Sequence, residues 1–190
     1  MCWCRIALGA IIMKPRGKIQ QSHENAVIDQ FLSWYNLKHR TGFKVFSKPE
    51  PPDALAKFKQ KVIWIEHADI YRSREEAREE RSFITPGETS YERQERPIFE
   101  PDNRVSEAFI FTMENKLSKD SYKKCCEKYG PGILLLTERD PLFNQSTWDS
   151  MSSALESCSF ESDKGYFKKA YLGYRGRNGL GFINIEWHRS

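Results

Sequence analysis

The stretch PPDALAKFKQKVIWIEHADIY, Pro51 to Tyr71, decides how this chain folds. Prolines 49, 51 and 52 break what precedes it, because proline lacks an amide donor and fixes its own backbone. DALAKF then reads as a short strand, KQK as a tight connection and KVIWIEHA as a longer strand. The near-continuous apolar run of the longer strand marks it as buried on both faces. Strands joined so closely pair antiparallel. Asp53 opens one and Glu66 ends the apolar run of the other, so both carboxylates are expected at one sheet edge, close together.

Upstream, Ala26, Val27, Phe31, Trp34 and Tyr35 recur at helical spacing, predicting a helix from Ser22 to Asn36 with Ser22 and Asn25 as capping residues. FKVFSKP alternates as a short strand between that helix and the prolines. Downstream, RSREEAREER carries opposite charges at helical spacing and reads as a solvated helix. TPGETSYERQERPIFEPDN reads as a long insertion. A single long helix is predicted from Asn103 to Tyr129, stopped by Gly130. GILLLTE reads as a buried strand and STWDSMSSALESC as a helix. FKKAYLGY and LGFINIEWH read as a hairpin across RGRNG. This alternation predicts an α/β fold, a mixed central sheet flanked by helices on both faces.

The chain has 190 residues, 39% hydrophobic and 13% aromatic, enough for one domain with a real core and unlike a disordered chain. Its 30 Lys+Arg against 26 Asp+Glu leave a net charge of +4, which permits a nucleic-acid partner without requiring one. Five cysteines form no CxxC pair and read as reduced thiols of a cytoplasmic protein. The apolar run at the start is too short to span a membrane and lacks the features of a signal peptide, so no membrane partner is expected. Residues 1–13 read as an extension, an edge strand or an over-long start with Met13 as the natural initiator. Residues 14–190 read as the single domain.

Two carboxylates held together repel, and one pKa rises unless a cation lies between them. Mg²⁺, with Mn²⁺ as a substitute, is the natural occupant, since magnesium takes one or two protein carboxylates and completes its shell with water and phosphate. Pro52-Asp53, a hairpin-length spacing and Ile65-Glu66 at the end of an apolar strand resemble the PD-(D/E)XK nuclease superfamily. The resemblance covers roughly Ser22 to Leu136, with Glu24 on the first helix matching a glutamate that many members use to complete the metal site.

It implies a restriction-endonuclease-like core and metal-dependent hydrolysis of phosphodiester bonds in nucleic acid, DNA favoured. Asp53 and Glu66 would bind the metal, the His67 carbonyl would add a ligand and Glu24 would support the site. A homodimer fits that chemistry, since nucleases that cut both strands often pair, although these residues select no oligomeric state.

One position departs from the family pattern. The lysine expected two residues after the glutamate is Ala68. The superfamily tolerates a lysine migrated to the following core helix, and Lys116 lies among the apolar positions of that helix, with Lys119 and Lys123 behind it. A lysine on such a face is unusual unless it reaches a carboxylate. The alternative is a catalytically inactive module of the same fold that binds nucleic acid or protein.

Each residue also has a plainer reading: Asp53 as a turn initiator, Glu24 as a helix-dipole partner, Lys116 as a surface side chain and His67 as a packed histidine. Lys168, Lys169, Arg175 and Arg177, with Tyr171 and Tyr174, make the terminal hairpin a candidate nucleic-acid surface, though a solvated hairpin explains them equally well.

Overall fold

A six-stranded sheet carries the fold, its strands lying in chain order from β1 to β6. The computed structural model describes residues 15–71, 101–139, 143–176 and 179–188. The order is α1 (Pro15–His39), β1 (Lys44–Ser47), β2 (Ala54–Phe58), β3 (Lys61–Ile70), α2 (Pro101–Leu117), a 3₁₀ turn (Asp120–Tyr122), α3 (Lys123–Tyr129), β4 (Gly132–Glu138), α4 (Gln145–Glu156), β5 (Phe167–Gly176) and β6 (Gly179–Ile185). The first three strands pair antiparallel, β3, β4 and β5 run parallel, and β6 returns antiparallel to β5. The expected mixed α/β sheet is present. The acidic–basic run from Arg72 and the insertion after it lie outside the described residues, as do residues 1–13 and Arg177.

Strand alternation sends successive side chains to opposite faces, and each face has its own core. Trp64, Leu55, Leu134, Leu136, Ala170 and Leu172 pack with Val105, Phe109, Met113 and Leu117 of α2 and with Met151 and Leu155 of α4. Ala54, Ala56, Ile63, Ile65, Ile133, Leu135 and Tyr171 pack with Val27, Ile28, Phe31 and Leu32 of α1. Helices therefore cover both faces.

Two predicted helix bounds are corrected. The first helix starts at Pro15 rather than at a Ser22 cap; proline suits a first helical turn, whose amides lack partners anyway, and nothing between it and Ser22 breaks the helix. The predicted helix Asn103–Tyr129 is broken. The last helical amide bond of α2 is followed by Lys119 in extended backbone (φ −75°, ψ 129°), then by the 3₁₀ turn and α3. The break brings Tyr122 down onto the sheet, where its ring stacks on Trp64 at 5.8 Å and meets Phe167 at 5.1 Å. Gly130, in positive φ, closes α3 as expected. Among the described residues no helix is long and apolar enough to cross a membrane.

Candidate functional site

The β2–β3 hairpin positions the first two groups. Its register pairs Ala54 with Ile65 and runs to Phe58 with Lys61, so Asp53, one residue before Ala54, falls beside Glu66. Asp53 Oδ2 accepts the His67 backbone amide at 2.6 Å, which fixes the carboxylate at that edge. Burial pushes the Asp53 carboxyl up to about 7, and the neighbouring charge of Glu66 adds to the rise. Glu24 on α1 is near enough to contribute in the same direction.

Glu66 shares its face with Trp64 and Ala68, under α2 and the 3₁₀ turn. It is buried, at 6% exposure. Two donors converge on its Oε1: Lys116 Nζ at 2.6 Å and the Tyr122 hydroxyl at 2.9 Å. Lys116 Nζ also donates to the His67 carbonyl at 3.3 Å. Glu66 Oε2 is buried and has no hydrogen-bond partner among the described residues. Burial, with the charge of Glu66 beside it, raises the Tyr122 hydroxyl far above the usual phenol range, so this group donates and does not ionise.

The structure therefore brings Lys116 to the face that Ala68 leaves without a lysine. The reason lies in α2. Val105, Phe109, Met113 and Leu117 recur every fourth residue along its buried face, and Lys116 lies beside Leu117 at the end of that stripe. Lys119 and Lys123 are exposed and make no contact with Glu66.

A second polar group lies under α1, on the opposite face of β3. His67 Nε2 lies 2.9 Å from Thr137 Oγ1 and 3.6 Å from Asp69 Oδ1. His23 Nε2 stands 3.5 Å from the same Asp69 oxygen and 3.3 Å from Arg139 Nη1. Among the described residues Asp69 Oδ1 has charge partners at these distances but no hydrogen bond. Burial lowers His67 to about 4, so its ring is neutral. Burial alone would raise Asp69, yet His23, with His67 and Arg139 nearby, holds it below the usual carboxylate range.

Sequence reasoning missed Tyr122 and this second group. Both had a signal. Tyr122 is a lone aromatic in KDSYKK, and His67 and Asp69, two apart on a strand, must share a face.

The predicted basic surface is not gathered in one place. Lys168 and Lys169 begin β5 and Arg175 lies near its end, separated by about 20 Å of extended chain. Tyr171 between them is buried under α1. Among the described residues no set of three His, Cys, Asp or Glu side chains is grouped to hold a metal ion. Comparisons with protein-family models, with curated proteins and with solved structures yield no match to this chain.

Proposed function

We propose that the chain is a metal-dependent nuclease that hydrolyses phosphodiester bonds in nucleic acid, with DNA favoured as substrate. One observation carries the reading: the Lys116 ammonium lies 2.6 Å from Glu66 Oε1, on the edge where Asp53 meets His67. A lysine and two acids from three elements are the groups that phosphodiester hydrolysis uses.

The donors suit a hydrated Mg²⁺ or Mn²⁺ rather than a caged ion. Magnesium needs only one or two protein carboxylates, and Glu66 Oε2 is a buried carboxyl oxygen without a hydrogen-bond partner among the described residues. Asp53, Glu66 and the His67 carbonyl would hold the ion, with Glu24 supporting Asp53. Bound there, it would polarise the phosphate and make water a better nucleophile. Attack by water forms one phosphorus–oxygen bond and breaks the bond to the leaving sugar oxygen, which takes up a proton. Lys116 meets the negative charge that grows on the phosphate oxygens. Tyr122 keeps Glu66 in place.

A second reading is an inactive module of the same fold. Ala68 and the Lys116 contacts favour it, because an ammonium already pairs with Glu66 and occupies the His67 carbonyl.

The test is a cleavage assay on DNA and RNA with Mg²⁺ or Mn²⁺, beside thermal melts. Cleavage is expected from the wild type and lost in Asp53→Ala and in Glu66→Gln. A cation that binds only the folded state raises its melting point, and the rise should be absent from Asp53→Ala. No cleavage of either nucleic acid would overturn the nuclease reading in favour of the inactive module.

A further inference from the structure

A cavity of about 630 Å³ opens at the far end of α1, where the helix meets β5 and β6. Lys38 and His39 come to it from α1, Lys168 and Lys169 from β5, and Glu186 is the carboxylate in its wall. Among the described residues none of the three lysines has a carboxylate within ion-pair distance. Like charges gathered without an ion-paired carboxylate are costly unless an anion joins them. Burial, then neighbouring lysines, lowers both His39 (by Lys169 and Lys38) and Lys168 (by Lys169 and Lys61).

The walls are firmly built. Asn36 bonds the Phe43 carbonyl at 2.9 Å, the Phe43 amide at 2.8 Å and the Thr41 hydroxyl at 2.9 Å, tying the end of α1 to the approach to β1. Lys38 Nζ rests 4.7 Å over the Trp34 ring, and His39 stacks on Tyr35 at 4.3 Å. Lys169 pairs with Ile133 and Tyr171 with Leu135, so both point to the α1 face. Tyr171, 1% exposed, also lines the cavity.

We infer that this cavity is a phosphate-binding site for the backbone of a nucleic-acid strand, remote from the cleavage centre and contacted by Lys38, Lys168 and Lys169. The inference rests on the nuclease reading for its ligand and deepens it. Glu24, beside Asp53, lies within α1, and Lys38 lies near the end of the same helix. Fourteen helical residues span about 21 Å, about six nucleotides at the 3.4 Å rise of a strand stacked as in duplex DNA. A strand lying along α1 with one phosphate at Asp53, which Glu24 neighbours, would bring another phosphate to the cavity.

The probe is a labelled single-stranded deoxyoligonucleotide, its binding followed by anisotropy across a salt series in EDTA, so that no cleavage enters. Each lysine–phosphate contact contributes about 0.7 to the slope of log affinity against log salt for single strands. Lys38→Gln, Lys168→Gln and Lys169→Gln together should therefore reduce the slope by about two, whereas the three corresponding arginine substitutions should keep it. The same three glutamines at Lys123, Lys124 and Lys128, on α3 against the other face, should leave the slope nearly unchanged.

Equal slopes for the two glutamine sets would overturn the inference, whatever the cleavage assay gives. A reduced slope in a chain that cuts nothing would support the cavity and refute the nuclease reading. If inorganic phosphate binds in a Lys169-dependent way while the oligonucleotide does not bind, the site serves a small phosphate compound and the strand proposal falls.

Discussion

Lys116 is one cation facing Asp53, Glu66 and, at the rim, Glu24. Its amine holds Glu66 Oε1 and the His67 carbonyl, two of the groups that a divalent ion would take. Two consequences follow from that overlap. Lys116→Ala should slow metal-dependent cleavage by about 10²–10³, the usual loss when one donor to a developing oxyanion is removed. It should also bind Mn²⁺ more tightly than the wild type in calorimetry, because a competing charge is gone. Weaker Mn²⁺ binding would show that the lysine assists the ion rather than competing with it.

Asp53 gives a separate test. Its folded carboxyl titrates at about 7, above its ordinary value of 3.8, so the folded state holds that proton the more tightly. The stability this gives is fully present below the unfolded value and is lost as pH rises through about 7. Asp53→Asn cannot ionise and keeps an acceptor for the His67 amide. Its melting point should exceed that of the wild type at about pH 8, with the advantage fading towards about pH 4. A difference independent of pH would mean that Asp53 ionises normally in the fold.

At the scale of elements, the hairpin was readable in Pro51–Tyr71 because its two signals agree: prolines before Asp53, and apolar residues on both faces of VIWI. The broken helix was not readable. Ser118, Asp120 and Ser121 are weak helix formers, but only Trp64, Phe167 and Glu66 beneath them reward bringing Tyr122 to the sheet. The same corner explains Gly132. A Cβ there would lie 2.3 Å from the Trp64 ring, which is fixed by Trp64 Nε1 donating to the Gly130 carbonyl at 2.7 Å. Gly132→Ala should destabilise the fold by about 1–3 kcal/mol, the cost of overpacking a filled core, as measured by denaturant unfolding. A wild-type midpoint would mean that the indole can shift.

For the whole molecule, the sheet separates two cores, and Phe31 is the centre of the one under α1. Its ring lies 5.1 Å from Tyr171, 5.4 Å from Phe182, 5.5 Å from Tyr35 and 6.0 Å from Trp34. Phe31→Ala should cost about 3–5 kcal/mol, seen as a lower unfolding midpoint, and a loss under about 1 kcal/mol would show that the aromatic cluster closes the gap.

By itself, the sequence determined the α/β class, the strand runs and the adjacency of Asp53 and Glu66, because periodicity and turn residues act over a few positions and survive in the one-dimensional record. It also marked Lys116 as a cation on an apolar stripe. Tertiary structure alone decided that Lys116 and Tyr122 meet at one oxygen of Glu66, that His23, Asp69 and Thr137 gather around His67, and that Lys38 joins Lys168 and Lys169 instead of Arg175. Those meetings depend on how far α1 and α2 extend and where they cross the sheet, and packing of the two cores sets both.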